Sequence, residues 1–185
     1  MVDLFWKIGR SAALFNERYH ISRDEGETMK LDEACWLATA AYGAHILEET
    51  ALDWRGWVRS VAKTDVDAGT FFVANALVLL VGVAGAEVAS AWPVVALGYF
   101  ALMLINATFF HVAGFIRGKG RFSPGLLTAV LLFYPAGIWG YSVADHAGLL
   151  TRANLIGSIL LGALMMATPV LLIRARALRF IKPAE

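Results

Sequence analysis

Five apolar stretches, at about 33–52, 70–90, 93–116, 124–145 and 153–173, divide this chain, and each is long enough to cross a bilayer. Hydrocarbon leaves backbone amides no outside partner, so only α-helices and closed barrels span it. Continuous runs of this length predict an all-α integral membrane helical bundle of about five transmembrane helices. A chain of 185 residues has no room for a separate soluble domain beside them, since each span uses about 20 residues.

The charges fall between the runs rather than through them. Arg55, Arg59 and Lys63 follow the first run, and Arg117, Lys119 and Arg121 follow the third. Arg174, Arg176, Arg179 and Lys182 follow the fifth. The other connections hold Trp92-Pro93 and then Asp145, His146 and Arg152. Basic residues on alternate connections predict a cytoplasmic C-terminus and, with five spans, an N-terminus outside. Trp36, Trp54, Trp57, Trp92, Trp139 and Tyr141 sit near run ends, where amphipathic rings anchor at the interface. Gly82 with Ala86, Gly137 with Gly140, and Ser158 with Gly162 offer seams for close helix approach.

Residues 1–30 mix Leu4, Phe5, Ile8, Leu14 and Phe15 with Lys7, Arg10, Glu17 and Arg18, too polar to span. They predict an amphipathic interfacial segment with no cleaved leader. Residues 31–175 then form the bundle and 176–185 a basic cytoplasmic tail. The single cysteine, Cys35, excludes an internal disulfide framework and a Cys-rich zinc knuckle. A net charge of +1 with no basic stripe gives nucleic acid no footing. Phosphate-binding loops, dinucleotide fingerprints and nucleophile elbows are missing, so nucleotide use and serine hydrolysis lack support.

Against this background His45, Glu48 and Glu49 stand out, three ionisable side chains in one turn of the first apolar run. Each costs about 2.5–3.5 kcal/mol in hydrocarbon even on the lenient insertion scale, so such groups face protein or trapped water and mark function. On a helix His45 and Glu49 lie about 40° apart and Glu48 about 60° to the other side, so all three can address one cavity. The topology puts Asn75, His111 and Thr128 at about the same depth in the cytoplasmic half and Asn106 near the midplane, which predicts a composite intramembrane pocket. Asn106 and His111 are about 140° apart on a regular helix and cannot share a target unless a π-bulge intervenes.

Adjacent glutamates in low dielectric do not both ionise without a cation. Two chemistries follow. His45, Glu49 and His111 form a nitrogen and oxygen ligand set for a divalent metal, zinc or iron, leaving Glu48 to take a proton from bound water. Without a metal, the glutamates work as an acid and base pair tuned by His45, as in an isomerase or cyclase. The blander reading of the turn is an interhelical hydrogen-bond network, and Asn75 and Thr128 fit helix glue, or binding contacts behind the site, better than catalysis. His111 fits a ligand or a structural donor. Glu87, Asp145, His146 and His20 read as surface or interfacial residues.

At these residues the chain resembles the HXXEE family of small bacterial membrane proteins, whose motif is seen here as His45-Ile46-Leu47-Glu48-Glu49. The resemblance continues through Asn106 and His111, Ser123-Pro124-Gly125 with Thr128, and Pro135, covering about residues 34–145. It implies a bacterial inner-membrane location and these site residues, but no reaction. The motif is also similar to the His-x-x-Glu-His signature of inverted zinc peptidases with Glu49 in place of the last His, a chemical analogy only. The expectation is a membrane-embedded enzyme that acts with metal assistance on a small lipid-like or apolar molecule, its site opening toward the cytoplasm. Its partners are membrane lipids and that ligand. A non-enzymatic ligand-binding or proton-coupled transport protein is the third class, disfavoured by the one-sided cluster and the lack of inverted repeats.

Overall fold

The computed structural model describes residues 29–177. The expected interfacial segment at 1–30 lies outside them apart from its last two residues, as do His20 and nearly all of the 176–185 tail. The described residues form six helices: α1 (Leu31–Ala51), α2 (Trp54–Val61), α3 (Ala68–Val88), α4 (Pro93–Arg117), α5 (Leu126–His146) and α6 (Arg152–Ala177). No strand occurs among them. The protein is all-helical, and four helices are long and apolar enough to cross a membrane: α3, α4, α5 and the Arg152–Leu172 part of α6. The fifth expected span, α1, has the length at 21 residues but carries Asp32, Glu33, Glu48 and Glu49.

Local chemistry explains the boundaries. Asp67 accepts a hydrogen bond from the Thr70 amide at 2.9 Å and so caps α3. Pro93 opens α4 at a position whose missing N–H would have had no partner anyway. Asp53 caps α2 through the Gly56 amide. This short helix was not anticipated, because the 53–67 connection is too polar to register as an apolar run. Its tryptophans, expected only as interfacial anchors, line a groove described below.

Two π turns interrupt the long helices, at Asn106–Val112 in α4 and Ala129–Phe133 in α5. The second has a visible cause. Pro135 lacks an N–H and its ring crowds the carbonyl four residues back, that of Leu131, which lies in the widened turn. The two turns face each other, joined by Thr108 Oγ1 and Tyr134 Oη at 3.0 Å.

Helix α4 is central and touches α1, α3, α5 and α6. Leu97, Tyr99, Phe100, Leu102 and Met103 are wholly buried along it. The anticipated small-residue seams lie at its contacts. A Cβ on Gly162 would stand 2.8 Å from the Leu102 amide nitrogen and 2.9 Å from the Gly98 carbonyl, so α6 meets α4 backbone to backbone. Gly82 packs on Thr39 and Tyr99, Gly137 on Leu104 and Gly140 on Phe100. Leu80, Ile138, Ile156, Leu160 and Leu164 point outward and are exposed.

Candidate metal centre

The first turn of interest begins with helix periodicity. Tyr42, His45 and Glu49 recur at three and four residues, so α1 turns all three toward α4 and α5, and all are buried. His111 reaches them from α4. The π turn at Asn106–Val112 replaces i→i+4 by i→i+5 bonding and brings residues five apart onto one face. Asn106 and His111 therefore line the same cavity, together with Glu49, Tyr42 and Asn75.

Three ligand atoms converge. Glu49 Oε1 lies 3.5 Å from His45 Nε2 and 3.5 Å from His111 Nε2. The His45, Glu49 and His111 donor atoms are all within 4.8 Å of one another. Around a metal with bonds of about 2.0–2.1 Å, tetrahedral ligands stand about 3.4 Å apart, so two edges of the triangle already have the required length. Both Nε2 atoms are buried without a hydrogen-bond partner among the described residues. Buried polar atoms rarely go unpaired, and a carboxylate facing two such nitrogens needs a cation or a proton to balance it.

The other ring nitrogens are held from behind. Thr128 Oγ1 is 2.6 Å from Glu48 Oε2 and 2.8 Å from His45 Nδ1. A hydroxyl has one proton, and the carboxylate is a stronger acceptor than the Gly125 carbonyl, which lies 3.2 Å from the same oxygen. Thr128 thus donates to Glu48 and accepts from His45 Nδ1–H, which leaves the lone pair on Nε2, facing Glu49. The Ser123 hydroxyl lies 3.4 Å from His111 Nδ1. The two imidazoles meet edge to face with centroids 4.6 Å apart, and Phe133 packs on His45 at 4.3 Å.

Neighbouring glutamates take different surroundings. Glu48 Oε1 accepts from the amides of Gly125 at 3.0 Å and Leu127 at 3.2 Å, and Oε2 from the amide and hydroxyl of Thr128. It caps the N-terminus of α5 from a different helix, where Gly125 itself has no side chain to do so. Glu49 faces the cavity and receives no hydrogen bond from the described residues. Gly125 is held close against the ligands: at φ +92 its backbone favours glycine, and a Cβ would overlap His111 Cε1 and stand 2.8 Å from His45 Cε1.

The cavity beside Glu49 and His111 has a volume of about 80 Å³ and walls of Trp54, Phe71, Phe110 and Met166. Asn106 Oδ1 is buried there without a partner, while its Nδ2 donates to Met166 Sδ at 3.7 Å. Asn75 accepts from Tyr42 Oη at 3.0 Å and donates to the Phe71 carbonyl, so its amide is occupied in joining α1 to α3. A smaller cavity of about 70 Å³ flanks Glu49 on the side of Thr50, Asp53 and Arg55. Sequence reasoning passed over Tyr42, Phe133 and Met166. Tyr42 had a signal, one turn before His45 on the same face; the other two depend on the π turn in α5 and the packing of α6. Glu87, Asp145 and His146 are exposed, away from the cluster.

Fold and site together define a helical-bundle protein with a buried cluster of two histidines and a glutamate beside an apolar cavity. The model of the family described as "Protein of unknown function with HXXEE motif" matches residues 36–140, and the chain belongs to that family. None of the curated proteins and none of the solved structures compared matches it.

Proposed function

We propose that this is an integral membrane metalloenzyme of the bacterial cytoplasmic membrane, in which His45 Nε2, His111 Nε2 and Glu49 Oε1 hold zinc or iron. The observation that carries the reading is the triangle of converging, buried and unpartnered donor atoms. Two neutral imidazoles and one carboxylate suit either ion, and three protein ligands leave a position open toward the cavity. A metal held there supplies Lewis acidity to a bound oxygen or activates water.

The protein's own groups divide the remaining work. Glu48 and Thr128 set the His45 tautomer, as carboxylates behind metal-binding histidines do. Asn106 Oδ1 offers an acceptor to a substrate hydroxyl or a bound water, and Trp54, Phe71, Phe110 and Met166 keep bulk water from the apolar portion. The occupant is a small apolar or lipid-like molecule. Apolar outer faces on α3, α5 and α6 support the membrane location, and Arg59, Arg117 and Arg174 at one end support a cytoplasmic C-terminus.

Elemental analysis of full-length protein purified in mild detergent tests this. About one equivalent of zinc or iron per chain is expected, lost in His111→Ala. Protein that arrives without metal and fails to take up zinc or iron on anaerobic titration overturns the metal reading and leaves acid and base chemistry by Glu49 in its place.

A further inference from the structure

A larger groove lies next to the metal-site cavity. Its volume is about 640 Å³, within the usual range of about 300–1,000 Å³ for small-molecule sites. Trp54, Val66, Phe110 and Val170 line both spaces, so the groove and the inner cavity adjoin at these side chains. Most of the groove is apolar, with Val58, Val61 and Phe109 among its walls. Its polar side chains are the indoles of Trp54 and Trp57, Thr64, Arg117 and Arg174.

This polar set is one-sided. Both indole N–H groups are buried, and neither Arg117 nor Arg174 makes a hydrogen bond or ion pair among the described residues. Thr64 spends its hydroxyl proton on the Ala62 carbonyl at 3.2 Å. Among the described residues no carboxylate lines the groove. Two guanidinium groups, without an acidic neighbour among the described lining residues, call for an acceptor-rich, negatively charged partner. The apolar walls that continue to Phe110 and Val66 call for a hydrocarbon portion on the same molecule.

We infer that the groove receives an anionic amphiphile, a molecule with a phosphate or carboxylate head held by Arg117 and Arg174 and an apolar body directed past Trp54 and Phe110 to the His45, Glu49 and His111 cluster. The inference rests on the metalloenzyme reading, since it names that site's substrate class. It also separates the two ends of the substrate: the head is held at the mouth while the part to be transformed lies inside. Arg59 provides an internal contrast, because its guanidinium is already engaged by Asp65 at 2.6 Å.

Decyl phosphate is a suitable probe for the full chain in dodecyl maltoside, followed by calorimetry and tryptophan fluorescence, with metal content measured on the same samples. Saturable one-to-one binding is expected, weakened about tenfold or more in the double variant Arg117→Gln with Arg174→Gln and unchanged in Arg59→Gln. Arg117→Lys combined with Arg174→Lys retains the charge and should recover most of the affinity, which separates loss of binding from loss of fold. Decyltrimethylammonium should not saturate, and inorganic phosphate should not compete at equal concentration. Equal binding of the two amphiphiles, indifference to the double Gln variant, or inorganic phosphate binding as tightly as decyl phosphate would each overturn the inference. Metal-bearing protein that ignores decyl phosphate overturns it and keeps the metal reading. Metal-free protein that binds decyl phosphate through the two arginines keeps the ligand class and overturns the metal reading instead.

Discussion

Helix α4 does two different things along its length. From Pro93 to Ile105 it is a regular α-helix whose Gly98 admits the Leu161 side chain of α6, and its side chains are packed until Leu97, Phe100 and Leu102 have no exposure. From Asn106 to Val112 it opens into a π turn, with a cavity on one side and two unpartnered polar atoms, Asn106 Oδ1 and His111 Nε2. The first half gains from close contact between small residues and leaves no room for a ligand. The second half forgoes regular helical geometry and polar satisfaction at the same place, and such local departures from consistency concentrate at functional sites.

The largest expected effect comes from attacking the closed half. Gly162→Leu forces a side chain into the Leu102 and Gly98 backbone, which cannot move aside as a flexible side chain would. Overpacking of this kind costs about 1–3 kcal/mol or more. The variant should lose monodispersity in gel filtration and melt well below wild type. A variant that stays folded and instead loses metal would mean that the seam serves the site rather than the scaffold.

The adjacent glutamates give the next contrast. Glu48→Ala removes four hydrogen bonds at the start of α5 and should destabilise the fold by about 1–3 kcal/mol, read as a lower melting temperature. Glu49→Ala removes a carboxylate that receives no hydrogen bond from the described residues. It should abolish stoichiometric metal while leaving the metal-free protein as stable as before or more so, because a buried charge and its desolvation cost are gone together. If Glu49→Ala is the unstable variant and Glu48→Ala the metal-free one, the division of labour between the two side chains is reversed.

How much of this could be read from the residues differs between the two halves. Apolar run length located α3 to α6 within a few residues, because bilayer thickness and helical rise leave little freedom. Glycine and alanine spacing pointed to the seams for the same reason. The cluster was legible as a set of residues at one depth, and the five-residue gap between Asn106 and His111 raised a π-bulge as the condition for their sharing a face. What the residues could not disclose was direction. On a regular helix Glu48 and Glu49 can both address the cavity, and only the cross-helix contact with the Gly125–Thr128 turn distinguishes a cap from a cavity-facing carboxylate. Helix α2 escaped notice for a different reason. Eight residues with Asp53 before them and Arg55 and Arg59 within carry no spanning signal, and their importance lies in the groove that Trp54 and Trp57 complete.

The smallest expected effect is also the most specific. Thr128→Val keeps the shape of the side chain and retains the backbone amide that Glu48 uses, so α5 keeps three of the hydrogen bonds that cap it. It removes only the hydroxyl joining Glu48 to His45 Nδ1. Without that acceptor His45 is free to exchange tautomers or tilt, and loss of such an outer contact typically lowers metal affinity by about 10- to 100-fold. Competition with a chromogenic chelator should show that weakening, with full occupancy regained at high metal concentration and little change in the melting temperature of the metal-free protein. Thr128→Ser restores the hydroxyl and should restore the affinity. If Val and Ser variants bind metal equally well, the hydroxyl is interhelical glue and His45 is oriented by the Gly125 turn and Phe133 alone.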